Sequence, residues 1–124
     1  MIIDNYEAKI WLGLRDGYSN KYYTYQQVTE VISKWCTEKG QCVSVTPTEF
    51  FYVKNDETGT GKEEGLIIGF INYPRYPQSE AEIRNRAREL ATLLMKKFGQ
   101  YRVSITFYPS IPNGTVMLEN DELE

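Results

Sequence analysis

The residues best suited to chemistry surround Arg75, in a turn that precedes a predicted helix with Ser79 as its N-cap. A helix N-terminus presents free N–H groups and partial positive charge, so an arginine beside it creates a site for an anion. The rings of Tyr73 and Tyr76 flank this arginine and are able to stack on a base. The turn therefore predicts an anion site. The alternative is that both tyrosines pack on the domain and only stiffen the turn.

A second cluster, Arg15 with Tyr18, follows the first predicted strand, and we expect it at the opposite end of the sheet from Arg75. If copies of the chain associate, the Arg15 end of one subunit meets the Arg75 end of the next. We therefore predict a cleft at a subunit boundary that binds a small anionic ligand such as a nucleotide. Its expected lining is Arg75, Tyr73, Tyr76, Arg15, Tyr18 and Trp11.

Support for catalysis is sparse in this sequence. The chain has no histidine, so a nucleophile–histidine pair is excluded. Residues 59–62 share letters with a phosphate-binding loop but lack its first glycine. The carboxylates of Glu63 and Glu64 fall in a predicted solvated loop. We accordingly expect a protein that is not an enzyme and that uses no metal and no cofactor.

The elements that position these residues follow the order strand, helix, strand, strand, helix, strand, with a fifth strand after them. Each helix begins at a capping box, the first at Thr24 with Gln27 and the second at Ser79 with Glu82. The predicted strands are residues 9–15, 42–53 with an interruption at Pro47, 66–73, 102–108 and 115–118.

Right-handed crossovers convert this order into an α+β fold, a ferredoxin-like split βαβ sandwich. The predicted antiparallel sheet has the order 4-1-3-2, with the fifth strand beside the fourth and both helices on one face. Pro47 requires an edge position for the second strand. Residues 1–124 form a single domain, in which residues 55–64 are a loop and residues 119–124 an acidic tail.

The sheet face without helices is the predicted surface for assembly or ligand binding. If Ile10, Leu12 and Leu14 face the helices, Trp11 and Arg15 face outward. An open sheet this apolar is poorly soluble, so we expect a homo-oligomer that buries it. A platform for a ligand is the alternative.

Charge and composition restrict the partners and the compartment. A net charge of −3 argues against nucleic acid and anionic membranes as partners. Residues 1–11 carry Asp4 and Glu7 and are neither a signal peptide nor a membrane span by their pattern. Cys36 and Cys42 are expected to be buried thiols, so we predict a cytoplasmic protein.

Residues 67–73 (IIGFINY) resemble the end of the RNP1 motif of RNA-recognition domains, and residues 10–14 (IWLGL) resemble a shortened RNP2. The basic-glycine start of RNP1 is missing and the chain is acidic, so RNA is not the predicted ligand. At the level of fold, the pattern is similar to PII-type signalling proteins, which bind ligands between subunits.

The function predicted from sequence is a non-catalytic homo-oligomeric domain that binds a small anionic ligand. A module that grips a protein partner through its tyrosine-rich loops is the second hypothesis, since the chain has ten tyrosines. An enzyme that depends on neither histidine nor metal is the third.

Overall fold

The computed structural model describes residues 1–53, 60–110 and 114–121. These residues form an α+β structure of five strands and two helices. In chain order these are β1 (Glu7–Gly13), α1 (Tyr25–Lys39), β2 (Ser44–Val53), β3 (Thr60–Ile71), α2 (Glu80–Lys97), β4 (Arg102–Tyr108) and β5 (Val116–Glu119).

The five strands form one antiparallel sheet in the order β2-β3-β1-β4-β5. This is the order predicted from the sequence, with β2 at one edge and β5 at the other. Both helices contribute buried side chains to a single core, which lies against one face of the sheet. Among the described residues, no helix is long and apolar enough to cross a membrane.

The two helices begin where their capping boxes predict. Thr24 accepts a hydrogen bond from the Gln27 N–H at 3.1 Å, and the Gln27 side chain accepts one from the Thr24 N–H at 2.8 Å. Ser79 and Glu82 repeat this arrangement at α2. α1 ends at Gly40, whose φ of 64° is the left-handed conformation that glycine adopts without strain.

Alternation along the strands decides which residues reach the core. Ile10 and Leu12 of β1 are fully buried against the helices, and so are Leu66 and Ile68 of β3. The sequence predicted burial on both faces of β3, but Ile71 on the other face is 39% exposed. The face without helices is therefore open to solvent at this end of β3.

Only β4 has the bounds predicted from the sequence, and the other four strands are shifted, extended or shortened. β1 covers Glu7–Gly13 rather than residues 9–15. β2 continues through Pro47 without interruption, because Pro47 is paired with Leu66 on an edge strand, where one side has no neighbour. β3 begins at Thr60, so residues 60–64 are strand rather than loop. The rest of the predicted loop, residues 55–59, lies outside the described residues.

The C-terminal segment is tied to the sheet as far as Asn120. Glu119 ends β5 opposite Arg102, and the Asn120 N–H donates to the Tyr101 carbonyl at 2.9 Å. Asn120 is 1% exposed. Of the predicted acidic tail, residues 122–124 lie outside the described residues, and the tail stays a prediction for them.

Candidate functional site

Three glutamates lie on the part of β2 and β3 that extends past the end of β1. Glu49 and Glu64 are paired directly across these strands, and Glu63 is the next residue of β3. β1 pairs with β3 only as far as Gly65, and just beyond it the Leu14 N–H donates to the Glu64 carbonyl at 2.9 Å. Like charges opposite each other destabilise a sheet, which suggests that these carboxylates serve a purpose other than stability.

The Glu63 side chain lies across the backbone of β1 at Gly13. A Cβ atom on Gly13 would be 2.9 Å from either carboxylate oxygen, so the carboxylate occupies the space of the missing side chain. Glu63 Oε1 also accepts a hydrogen bond from the Arg15 N–H at 3.2 Å. Burial raises the pKa of the Glu63 carboxyl, while the Arg15 backbone hydrogen bond and charge lower it in part. Partly desolvated carboxylates of this kind concentrate at functional sites.

Aromatic rings lie on both sides of this carboxylate along β3. The Phe50 ring covers Gly65, and the Tyr52 ring covers Gly61. Both rings share a sheet face with Glu63, because Phe50 and Tyr52 are paired with residues two positions apart on β3. Because residues 61 and 65 are glycines, the Tyr52 ring, the Glu63 carboxylate and the Phe50 ring are able to lie in a row along β3.

Two adjoining clefts open beside the same strands. The first has a volume of about 330 Å³, with Tyr25 on one side and Glu49 and Glu64 on the other. The second has a volume of about 420 Å³ and is bounded by Tyr22, Lys62 and Glu64. Each is within the range of small-molecule sites, about 300–1,000 Å³. Glu64 borders both clefts, so they form one acidic surface lined with tyrosines.

The balance of charge at this surface favours a cationic ligand. Glu49 and Glu64 lie on the sheet face that carries Leu66, together with Lys62, whose Nζ is 3.7 Å from Glu49 Oε2. Glu63 lies on the opposite face, beside Arg15. A negative field next to aromatic rings attracts an organic cation. The sequence predicted an anionic ligand instead, in a cleft at a subunit boundary that joins this end of the sheet to the Arg75 end of a neighbour.

Arg15 and Tyr18 hold the loop that follows β1. The Arg15 guanidinium donates to the Ser19 carbonyl at 2.6 Å and to the Tyr18 carbonyl at 2.9 Å. The Tyr18 ring stacks on Tyr101 with centroids 4.4 Å apart. These contacts fix the loop that carries Tyr22 to the cleft. The Arg15 guanidinium therefore stabilises the loop to which Arg15 itself belongs.

Tyr73, Arg75 and Tyr76 lie at the other end of the sheet, as predicted from the strand order. β1 and β3 are antiparallel, so the Ile71 end of β3 lies opposite Glu7, far from Arg15. The Arg75 guanidinium is 5.7 Å from the centre of the Tyr76 ring. Tyr73 and Tyr76 border a separate cleft of about 240 Å³.

Trp11 lies between the two ends, on the face without helices. It is paired with Ile67 and Ser104 on the neighbouring strands, and its indole N–H donates to Thr106 Oγ1 at 3.2 Å. Within one chain the predicted site residues therefore form three separate groups. A site that includes all of them requires more than one subunit and stays a prediction.

Sequence reasoning missed Glu63, since it assigned this residue to a solvated loop. The alternation Gly61, Glu63, Gly65 is a period-two pattern that could have indicated a strand with a carboxylate between two open positions. Among the described residues, no group of three or more histidine, cysteine, aspartate or glutamate side chains could hold a metal ion.

No protein-family model and no curated protein sequence matches the chain. Two solved structures match it closely in fold. A phage SAM lyase in its apo state superposes with a TM-score of 0.75 at 17% identity, over 94% of this chain and 90% of that chain. A phage SAM lyase in complex with S-methyl-5'-thioadenosine has a TM-score of 0.77 at 17% identity, over 97% of this chain and 93% of that chain.

These structures correct the function predicted from sequence. Both neighbours are enzymes, which contradicts the prediction of a non-catalytic domain and the prediction that the chain is not an enzyme. The error came from treating histidine as a requirement for catalysis. The lyase complex also holds a nucleoside, which agrees with the coarser expectation of a nucleotide-like ligand on this fold.

Proposed function

We propose that this chain is a lyase that cleaves S-adenosylmethionine (SAM) and releases S-methyl-5'-thioadenosine. The observation that carries the proposal is the match of 97% of the chain to a phage SAM lyase holding that nucleoside. The acidic, tyrosine-lined clefts beside β2 and β3 supply a surface of the right size and charge. Identity of 17% supports the fold alone, so the activity itself rests on experiment.

The chemistry of SAM suits a site without histidine. SAM is a sulfonium cation, so the bond from sulfur to the γ-carbon of its amino-acid part breaks with both electrons going to sulfur. That leaves neutral S-methyl-5'-thioadenosine. The four-carbon fragment is completed without water, either by its own carboxylate oxygen attacking the γ-carbon or by loss of a proton from the β-carbon to a base. The first route needs no protein base, and Glu64, which borders both clefts, is available for the second.

The side chains of the clefts have distinct roles in this proposal. The carboxylates of Glu49 and Glu64 attract the sulfonium and ammonium groups of SAM, and the rings of Tyr22 and Tyr25 stack on its adenine. Positioning the reacting atoms and excluding water supply most of the acceleration for a reaction within one molecule. The charge on sulfur disappears during the reaction, so the neutral product binds the carboxylates less strongly.

The test is to incubate purified protein with SAM and to follow S-methyl-5'-thioadenosine by chromatography and mass spectrometry. We expect product to accumulate with time and enzyme concentration. Glu64→Gln removes a charge-assisted contact of roughly 1.5–3 kcal/mol, so the rate should fall about tenfold to a hundredfold. Glu49→Gln removes the second carboxylate of the first cleft, and it should also slow the reaction.

Glu119→Gln is the matched control, because it removes an exposed carboxylate from β5 at the far edge of the sheet. Its rate should equal that of the wild type. If the wild-type protein releases no S-methyl-5'-thioadenosine and does not bind that compound in calorimetry, the proposal is wrong. Identifying the four-carbon product distinguishes internal attack from proton loss.

We also propose that the protein acts as a homo-oligomer, with the Arg15 end of one subunit meeting the Arg75 end of the next. This would bring Tyr73, Arg75 and Tyr76 of a neighbour toward the acidic clefts, where Arg75 suits the carboxylate of SAM. Trp11 and Ile71 on the face without helices support self-association. A membrane or nucleic-acid partner is not part of this proposal.

Two finer assignments complete the proposal. The strand order and the helices on one face support a ferredoxin-like split βαβ class for the single domain. The free thiols of Cys36 and Cys42 support a reducing compartment such as the cytoplasm.

A further inference from the structure

The turn at the end of α1 brings both cysteines to one surface of the protein. The Cys36 carbonyl accepts hydrogen bonds from the Gly40 N–H and, at 3.0 Å, from the Gln41 N–H, so the chain doubles back over the last helical turn. Cys42 is the next residue. Cys36 is half-buried and Cys42 is exposed, which corrects the expectation of two buried thiols.

A cleft of about 240 Å³ opens beside the Cys42 thiol, at the end of the sheet away from the acidic clefts. Gln41 and Gln78 fix its walls, because each side-chain amide donates to the other, at 3.0 Å and 2.9 Å. Gln41 is 5% exposed. Tyr76 borders the cleft, and the Arg75 guanidinium lies 5.7 Å from the centre of its ring.

We propose that Cys42 is a site of thiol–disulfide exchange with small disulfides that carry carboxylates, and that Cys36 is its resolving thiol. The exposed Cys42 sulfur is accessible to such a disulfide, and the cleft accommodates one half of it. Arg75 at the rim of the cleft attracts its carboxylates. This site goes beyond the proposed lyase activity and does not depend on it.

The exchange balances in two steps. The Cys42 thiolate attacks one sulfur of the small disulfide, which forms a mixed disulfide and releases the other half as a thiolate. The Cys36 thiolate then attacks the Cys42 sulfur and expels the second half. Both protein thiols are oxidised, the small disulfide is reduced to two thiols, and the two protons of the protein thiols end on the released molecules.

Burial determines the order of the two cysteines. Burial raises the pKa of the Cys36 thiol, and the neighbouring Cys42 thiol raises it further. The thiolate is the attacking species, so a half-buried cysteine with a raised pKa reacts slowly with a molecule in solution. Once the mixed disulfide has formed, Cys36 has the advantage of proximity and does not need to be exposed.

The test uses the full chain with oxidised glutathione, a disulfide with several carboxylates, and follows the intact mass. The wild type should lose two hydrogens and both free thiols. Cys36→Ser should retain one glutathionyl group on Cys42, and Cys42→Ser should remain unmodified over the same time. Arg75→Ala should slow the Cys36→Ser adduct several-fold. Arg102→Ala is the control, since this exposed arginine lies on β4 toward the Arg15 end of the sheet.

Each result of this experiment is decisive. A wild type that keeps both thiols, or a Cys42→Ser variant that is modified as fast as Cys36→Ser, overturns the assignment of Cys42. A wild type that retains the glutathionyl group as long as Cys36→Ser does overturns the resolving role of Cys36. Equal rates for Arg75→Ala and Arg102→Ala exclude recognition of carboxylates at the rim.

Discussion

Glu63 shows how a partly buried carboxylate lowers the stability of this protein. Its carboxylate is partly removed from water, and the Arg15 N–H donates to it at 3.2 Å. Desolvation disfavours the charged form of a carboxyl group more than this hydrogen bond favours it, because the pKa of Glu63 is raised. Removing the charge of Glu63 should therefore stabilise the folded protein.

The stability of the protein should report the raised pKa of Glu63. Its pKa in the folded protein lies above the ordinary value of 4.5, so the folded state binds more protons than the unfolded state between these two values. The contribution of Glu63 to unfolding free energy therefore falls as pH rises through this window. We expect Glu63→Gln to melt above the wild type at neutral pH, with a smaller difference near pH 4. A difference that does not change with pH would contradict this assignment.

At the scale of elements, the packing of β1 and β2 against β3 depends on Gly65, which the Phe50 ring and the Leu12 carbonyl oxygen approach closely. A Cβ atom there would collide with the Phe50 ring and would lie 2.5 Å from the Leu12 carbonyl oxygen, a backbone atom that cannot move aside easily. Overpacking of this kind typically costs about 1–3 kcal/mol. Gly65→Ala should therefore lower the unfolding free energy by that amount in a denaturant titration.

Gly69→Ala is the control on the same strand. Its Cβ would be 2.8 Å from Ser44 Oγ, the end of a side chain that can rotate away. We expect a change within about 0.5 kcal/mol. Equal losses for Gly65→Ala and Gly69→Ala would show that the cost does not arise from the Phe50 ring and the Leu12 carbonyl oxygen, which only Gly65 approaches.

Local signals in the sequence identified both helices and the strand order. The capping boxes at Thr24 and Ser79 act within four residues, so the sequence alone identifies them. The start of β3 could not be identified in this way, because Gly61 to Glu64 carry no alternation of apolar and polar side chains. These residues are strand only because β2 pairs with them, and such pairing is not local in sequence.

The candidate site was less predictable for the same reason. Arg75 and Tyr76 are conspicuous in sequence, and their position at one end of the sheet followed from topology. Glu63 gains its character from Gly13 and Arg15, which lie about fifty residues earlier in the chain. No pattern of residues close together in the sequence indicates the contact of Glu63 with Gly13 and Arg15.

For the whole molecule, the sheet face without helices is the feature that favours self-association. Ile71 is 39% exposed and Met117 is 51% exposed on this face, with Trp11 between their strands. We expect an oligomer at micromolar concentration by native mass spectrometry. Ile71→Glu should shift it toward monomer, because a charge buried without a partner costs several kcal/mol.

Leu93→Glu is the matched control for this experiment. Leu93 lies on α2 and is 38% exposed, so the same charge enters at nearly the same exposure but away from the sheet. It should leave the oligomer intact. A wild type that is monomeric, or a Leu93→Glu variant that dissociates as readily as Ile71→Glu, would contradict assembly through the sheet.

The unequal lengths of the strands have a consequence for motion. β2 and β3 stay paired from Ser44 and Gly69 out to Val53 and Thr60, but the chain of β1 bonds to the backbone of β3 only as far as Glu64, whose carbonyl accepts from the Leu14 N–H at 2.9 Å. A two-stranded ribbon is marginally stable by itself, and the inner pairs share the stability of the sheet. The outer pairs should therefore open in a separate step, with fast amide hydrogen exchange from Lys62 outward and slow exchange from Gly65 inward. Lys62 borders the second cleft and lies on the fast side, so this wall of the cleft opens to a molecule while the core remains closed.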